Sequence, residues 1–139
     1  MQGEYDWRRG RTVVYKCFYH LVLTPKYRRK VFTKSLLSAL EPVITETCEQ
    51  LGGELLEFGA EDDHLHLMVA IPPSIAISNF VGKLKGKSAH YLRKHHWNEV
   101  KSKLWGKHFW SPSYCLVSCG GAPLDTVKAY VQSQNRPTT

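Results

Sequence analysis

The sequence predicts an α+β fold, a single antiparallel sheet with helices covering one of its faces. Three observations favour it: strand-like and helix-like segments alternate, turn residues separate them, and 139 residues suffice for one domain with its own core. No internal repeat or long linker divides residues 1–139. The predicted elements are strand 12–24, helix 34–51, strands 54–60 and 64–71, helix 75–96, strand 109–118, and a last helix from Pro123 to about Asn135. This order is the ferredoxin-like, RRM-like βαββαβ arrangement with one helix appended.

The first two elements are predicted from side-chain type and spacing. Residues 12–24 are rich in β-branched and aromatic side chains, which favours a strand, and Pro25 ends it. Residues 34–51 place apolar side chains at helical spacing, and Gly52-Gly53 follows as a stop. Pro42 lies inside this helix and either kinks it or marks its true start.

The later elements are delimited mainly by turn residues. The acidic turn Glu61-Asp62-Asp63 joins the two middle strands. Ser74 is expected to cap the helix that follows. The proline within 109–118 suits the start of a strand or an edge position. Gly120-Gly121 then breaks the chain before the last helix.

Composition favours a cytoplasmic protein without a membrane segment. No apolar run approaches the roughly 18 residues of a membrane helix, and the N-terminal residues lack the apolar stretch of a secretory signal. The cysteines form no Cys-x-x-Cys pair, so buried free thiols are expected rather than disulfides or a cysteine zinc site. These cysteines are Cys17, Cys48, Cys115 and Cys119.

The basic residues fall into two separate blocks. The net charge of +7 and the pI of about 9.3 favour a polyanionic partner. Residues 1–34 hold nine of the 19 bases and residues 83–107 hold eight, whereas residues 41–63 carry eight acids and no base. Ordinary solvated surfaces usually mix the two signs. The blocks therefore predict nucleic acid binding along one side of the molecule.

The segment Asp63-His64-Leu65-His66-Leu67 carries a candidate metal site. In a strand, His64 and His66 share one face while the two leucines share the other. Two imidazoles about 7 Å apart along a strand can converge on one cation. An arbitrary His-x-His pair more often occupies a solvent face. The central position of this strand favours a site, because polar groups there need a partner.

The last predicted helix carries a candidate nucleophile. Tyr130 and Gln134 are four residues apart and lie on one helical face. A tyrosine near a chain end is usually a packed aromatic with a wet hydroxyl. Beside a metal-bound phosphate, however, a phenol is a capable nucleophile. Because its pKa of about 10 is below that of an aliphatic alcohol, its phenolate forms more easily and also leaves more easily.

Several motifs, in this order along the chain, resemble one protein family. They are Tyr19-His20-Leu21-Val22, Lys26-Tyr27-Arg28, Asp63-His64-Leu65-His66-Leu67, Leu84-Lys85-Gly86-Lys87-Ser88, Leu104-Trp105-Gly106, Phe109-Trp110-Ser111-Pro112-Ser113-Tyr114 and Tyr130-Val131-Gln132-Ser133-Gln134. The set resembles the HUH-type single-tyrosine transposases called TnpA, of the insertion-sequence two-hundred/six-hundred-and-five group. The resemblance spans nearly the whole chain.

The resemblance implies a catalytic site. It makes Tyr130 the nucleophile, His64 and His66 metal ligands, and Gln134 a third ligand through its side-chain oxygen. Such a donor set suits Mg²⁺ or Mn²⁺. One carboxylate of Glu61-Asp62-Asp63 is a further candidate ligand, without a choice among the three, and a solvated acidic turn is the alternative.

The resemblance also implies a substrate and an assembly. The family cleaves and rejoins single-stranded DNA that folds into hairpins at the ends of an insertion sequence, through a 5′-phosphotyrosine intermediate. It acts as a homodimer, in which the tyrosine helix of one subunit completes the partner's site. The expected division is a body of residues 1–119 and a tyrosine helix and tail of residues 120–139.

Basic and aromatic side chains near these motifs are candidate DNA contacts, because phosphate binding and base stacking both suit single-stranded DNA. The candidates are Arg11, Lys26, Tyr27, Arg28, Lys83, Lys85, Lys87, Arg93 and Trp105.

Two other functions compete with the transposase prediction. A non-catalytic, RRM-like nucleic-acid-binding protein would use the same fold, although such modules read bases with aromatics where this chain carries His64 and His66. A metal-storage or structural protein would use the histidines alone and leave the basic blocks unexplained. A covalent protein–DNA adduct separates the three.

Overall fold

The computed structural model describes residues 6–61, 63–101 and 108–119. Within these ranges, a four-stranded antiparallel sheet in the order β4-β5-β3-β6 packs against two long helices. A separate two-stranded hairpin precedes it. The strands are β1 (Arg8–Arg9), β2 (Val14–Tyr15), β3 (Phe18–Leu23), β4 (Glu54–Glu61), β5 (His64–Ala70) and β6 (Cys115–Ser118), and the helices are α1 (Lys34–Gln50), α2 (Ile77–His95) and α3 (Trp97–Val100).

The sheet order confirms the predicted fold class. The central strand β3 pairs with β5 on one side and β6 on the other, both antiparallel, and β4 pairs with the far side of β5. This is the βαββαβ order read from the sequence. The predicted last helix, from Pro123 to about Asn135, and the division at residue 120 lie outside the described residues.

The main core lies between the sheet and the helices. Alternate residues of β3 and β5 point into it, among them Leu21 and Leu67, and both are completely buried. Ile44 of α1 and Leu84 of α2 pack into the same cluster. Burial of one such side chain stabilises the fold by about 1.5–3 kcal/mol.

The opposite face of the sheet carries a second, smaller cluster. Phe18, Val22, Met68 and Cys119 are buried there. Cross-strand partners share a face of the sheet. Because His20 lies opposite Met68 in the register, this histidine belongs to the same face.

Two predicted strands are shorter in the structure. The segment 12–24 divides into β2 and β3, and β2 pairs with β1, a strand that the sequence pattern did not predict. The segment 109–118 is a strand only over Cys115–Ser118. Pro112 lacks the N–H that a strand needs. Upstream of it, Trp110 forms only an isolated bridge with Pro25.

The helix ends follow capping geometry. Helix α1 begins at Lys34 and runs through Pro42, so the proline does not mark its start. The Thr33 side chain accepts a hydrogen bond from the backbone N–H of Leu36 at 3.2 Å. Helix α2 begins at Ile77, and Ser74 does not cap it, because residue 76 is the cap position.

The cysteines are free thiols, as predicted, but only some are buried. Cys48 and Cys119 are buried, Cys17 is half-buried and Cys115 is exposed. Burial raises the pKa of Cys48 to about 12. Cys115 lies on the strand β6 at the edge of the sheet, which explains its exposure. Among the described helices, none is long and apolar enough to cross a membrane.

Candidate functional site

The predicted histidine pair lies on β5, on the face turned away from the helices. The ring centroids of His64 and His66 are 4.5 Å apart, with an angle of 70° between the planes. Leu65 and Leu67 point into the main core, so the predicted alternation is confirmed. His64 is only 4% exposed, so it does not occupy a solvent face.

A third histidine, His20 of β3, completes a group on this face. Its Nε2 atom lies 3.3 Å from Nδ1 of His66, and the two ring centroids are 5.3 Å apart. His20 is buried, at 4% exposure. The amino-acid sequence alone does not assign His20 to the site, because its approach to His66 depends on the register between β3 and β5. Its position on the same alternating face as Phe18 and Val22 was the available indication.

Asp63 supports the other histidine. One of its carboxylate oxygens, Oδ1, lies 2.7 Å from Nδ1 of His64, and the other, Oδ2, lies 3.4 Å from Nη2 of Arg28. Burial raises the pKa of Asp63, but the hydrogen bond with His64 and the charge of Arg28 outweigh it and hold the pKa below its ordinary value. Asp63 is therefore a carboxylate that accepts a hydrogen bond from His64 and forms an ion pair with Arg28.

The other two acids of the turn have different positions. Glu61 ends β4, is exposed, and lies opposite His64 in the sheet register. Asp62 is outside the described residues. The choice among the three carboxylates as a metal ligand therefore stays open. In the structure, Oδ1 of Asp63 contacts His64.

The histidine pair suits a divalent cation. Burial lowers the pKa of His66, the nearby His64 lowers it further, and Glu61 opposes the shift. His66 is therefore neutral near pH 7, and a neutral imidazole is the form that binds metal. Over residues 6–61, 63–101 and 108–119, no three His, Cys, Asp or Glu side chains form a complete cation site. The ligand expected at Gln134, like the nucleophile expected at Tyr130, lies outside these residues.

One group of candidate DNA contacts lies beside the histidines. Lys26, Tyr27 and Arg28 form a single 3₁₀ turn just after β3. Tyr27 is 66% exposed, and Nζ of Lys26 lies 5.6 Å from the centroid of its ring. The ion pair between Arg28 and Asp63 brings this turn next to His64.

A second group lies on α2, across the sheet from the histidines. Lys83 and Lys87 are exposed there, and Arg93 is half-buried. Lys85 points elsewhere: its Nζ donates to the backbone oxygens of Ser111 and Ser113 at 2.8 and 3.0 Å. Burial lowers the pKa of Lys85. Lys83, Lys87 and Arg93 therefore lie on the helix side of the sheet, whereas the histidines lie on its other face.

Lys85 also lines a surface cavity of about 370 Å³ between α2 and the segment before β6. Its Nζ lies 5.4 Å from the ring centroid of Tyr114. Trp110 also lines the cavity and donates from Nε1 to Oγ of Ser88 at 2.9 Å. The remaining candidates are Arg11, which is exposed near the β1–β2 hairpin, and Trp105, which lies outside the described residues.

The chain matches known proteins over most of its length. Residues 13–134 match the family model described as "Transposase IS200 like". The chain is 32% identical over 130 residues to the ISDra2 transposase TnpA of Deinococcus radiodurans, covering 94% of this chain and 92% of the relative. It is also 32% identical over 120 residues to the transposase for insertion sequence element IS200 of Salmonella typhimurium, covering 86% and 78% of the two chains.

Solved structures show the same likeness. A crystal structure from Deinococcus radiodurans described as a transposase superposes with a TM-score of 0.72 at 31% identity, covering 91% of this chain and 97% of that one. A REP-associated tyrosine transposase bound to a REP hairpin superposes with a TM-score of 0.57 at 14% identity, covering 89% and 67%. The second likeness shows a shared fold.

Proposed function

The chain belongs to the IS200-like transposases, proteins that cut DNA and transfer its strands, and we propose that it acts on single-stranded DNA through a covalent bond to Tyr130. One observation carries this proposal: His64 and His66 lie together on the face opposite the helices, beside a carboxylate and an arginine. The match to the family model extends through residue 134 and so includes the tyrosine segment.

His64 and His66 would hold a divalent cation, Mg²⁺ or Mn²⁺, with Gln134 as the third ligand. When bound, the cation supplies positive charge that polarises a non-bridging phosphate oxygen. The neutral state of His66 supports this role, since its lone pair is available at neutral pH. The buried position of His64 keeps its ring fixed on the rigid strand β5.

Tyr130 supplies the covalent chemistry. Its hydroxyl oxygen attacks the phosphorus, the bond from phosphorus to the 3′-oxygen breaks, and a 5′-phosphotyrosine and a free 3′-hydroxyl result. A second 3′-hydroxyl then attacks the phosphotyrosine and releases the tyrosine. The two steps exchange one phosphodiester for another, so no ATP is required.

The substrate is a hairpin at the end of the insertion sequence. The exposed ring of Tyr27 and the charges of Lys26 and Arg28 give the edge of the site one stacking surface and two phosphate contacts. A neighbouring structure of the same fold was solved with a REP hairpin. Both observations support binding of a folded single strand.

The active assembly is a homodimer with shared sites. In each subunit, residues 1–119 form the body, and the tail of residues 120–139 carries the tyrosine helix. A short helix of about a dozen residues is unstable alone and must dock on a sheet. The face opposite the main helices carries the histidines, and docking of the partner's tyrosine helix there would complete the site.

Substitution of the tyrosine tests the proposal. Tyr130→Phe should bind the hairpin as the unsubstituted protein does, yet form no SDS-stable adduct with labelled DNA. Tyr91→Phe is the matched control, since Tyr91 lies half-buried on α2 against His95, and it should form the adduct normally. An adduct with Tyr130→Phe would assign the nucleophile to another residue. Hairpin binding without an adduct in the unsubstituted protein would favour the non-catalytic, RRM-like alternative.

A further inference from the structure

We propose that His20 is a positioning residue, which holds Nδ1 of His66 so that Nε2 of His66 is the atom that faces the cation. Asp63 does the same for His64. The inference rests on the proposed function, because it assigns a role toward the metal of that site. It adds a buried residue on a different strand, β3, to the two ligands on β5.

The tautomer of His64 follows from its partner. Asp63 forms an ion pair with Arg28 and is therefore a carboxylate, whose oxygens only accept hydrogen bonds. At 2.7 Å from Oδ1 of Asp63, Nδ1 of His64 must therefore carry the proton and donate. A neutral His64 then has its lone pair on Nε2, which leaves that atom for a cation.

The contact of His66 has the same form. Nδ1 of His66 lies 3.3 Å from Nε2 of His20, so one of these nitrogens donates to the other. Donation by His66 leaves its Nε2 lone pair free, whereas donation by His20 puts the proton of His66 on Nε2 and blocks that atom. Metal-binding histidines usually donate their second ring N–H to a neighbouring acceptor. We therefore assign the donor as His66 and the acceptor as His20.

The position of His20 suits a fixed acceptor. It is 4% exposed and lies in the middle of β3, which is hydrogen-bonded to a strand on each side. Val22 lies directly opposite His66 in the register, so His20 reaches His66 diagonally across the two strands. The sheet therefore holds the acceptor in place, and the ring of His66 is aligned before a metal arrives.

The test combines the metal-free protein with a metal titration. The proton position on His66 can be read from ¹⁵N shifts of the imidazole ring without metal or DNA. We expect the proton on Nδ1. In His20→Leu, an apolar side chain of similar size replaces the imidazole, so the hydrogen-bond acceptor is lost. The affinity for Mn²⁺, measured by calorimetry, should then fall about 10- to 100-fold.

Two further variants separate positioning from packing. His20→Gln places an amide oxygen near the position of the lost imidazole nitrogen, and it should recover most of the affinity and the Nδ1 proton of His66. Val22→Ala removes apolar volume from the same strand and face, and it should leave Mn²⁺ affinity and the proton position unchanged. Thermal unfolding of the metal-free variants shows whether each one is folded.

Three outcomes would overturn the inference. They are a His66 proton on Nε2 in the unsubstituted protein, unchanged Mn²⁺ affinity in His20→Leu, and an equal loss of affinity in Val22→Ala. None of these depends on the adduct at Tyr130. Conversely, an Nδ1 proton and the expected Mn²⁺ losses, without any DNA adduct, would support the role of His20 and reject the proposed reaction.

Discussion

The two faces of the sheet are built from alternate residues of the same strands, yet they bury different kinds of side chain. Toward the helices, Leu21, Leu65 and Leu67 are completely buried among other apolar side chains. On the other face, His20 and His64 are almost as buried, at 4% exposure each. A buried imidazole costs free energy unless its polar atoms are paired, whereas a buried leucine carries no such cost.

The comparison indicates that the helix-covered face holds the main apolar core, whereas the other face combines a smaller apolar cluster with the histidines of the proposed site. Sequences usually depart from the stablest choice of residue where function requires it. Substitutions on the two faces should therefore change different measured quantities, even between residues that are neighbours in the chain.

The largest effect is expected from removal of a ligand. His66→Ala should abolish DNA cleavage, because only one imidazole of the proposed pair remains, while the free energy of unfolding changes little. Single-turnover cleavage of a labelled hairpin and urea unfolding measure the two quantities. Retained cleavage would show that the face opposite the helices does not carry the chemistry.

A mixture of two inactive proteins should recover part of that activity. His64→Ala keeps Tyr130, and Tyr130→Phe keeps both histidines. After subunit exchange, docking of the tyrosine helix on the partner gives each mixed dimer one complete site, so cleavage returns at up to half of the sites. Docking within one chain leaves both sites defective. No recovery, with mixed dimers confirmed by mass, would place the whole site in a single chain.

The helix-covered face should show the reverse pattern. Leu67→Ala, next to His66 in the chain, should lower the free energy of unfolding by about 2–5 kcal/mol, because it leaves a cavity in a fully buried position. Once folded, the variant should still bind Mn²⁺ with ordinary affinity. Loss of Mn²⁺ binding without loss of stability would contradict the division between the faces.

The smallest effect concerns charge on the helix side. For about six phosphate contacts to single-stranded DNA, the slope of log affinity against log salt should be about −4. Replacing the exposed Lys83 and Lys87 with Gln should flatten this slope by about 1.4 if both contact phosphates. Lys101→Gln, also exposed and in the same basic block, should leave the slope unchanged. An unchanged slope in the double variant would show that neither Lys83 nor Lys87 contacts a phosphate.

Local patterns predicted the fold class and the faces on which residues 64–67 of β5 lie. The alternation of His64, Leu65, His66 and Leu67 requires only strand geometry, so the sequence was sufficient there. The prolines did not consistently mark the ends of helices and strands. Pro42 lies inside α1, whereas Pro112 limits the last strand to Cys115–Ser118.

Contacts between strands were beyond the sequence patterns. His20 and His66 are 46 positions apart, and only the register of β3 against β5 brings them together. The ion pair of Arg28 with Asp63 likewise depends on tertiary structure, because the 3₁₀ turn after β3 must lie beside the start of β5. The roles of Tyr130 and Gln134 stay predictions, since both residues lie outside the described ranges.

The hydrogen bonds of Lys85 change how the charge of this chain should be counted. Its ammonium group already has two backbone oxygens as neighbours, at 2.8 and 3.0 Å. Salt dependence of DNA binding arises from counterions that phosphates release when lysines replace them. A lysine that is committed to carbonyl oxygens releases fewer counterions than a solvated one. The 19 basic residues in the sequence are therefore an upper limit on the number that can contact phosphates. The structural role of Lys85 is instead to hydrogen-bond the segment before β6 to α2.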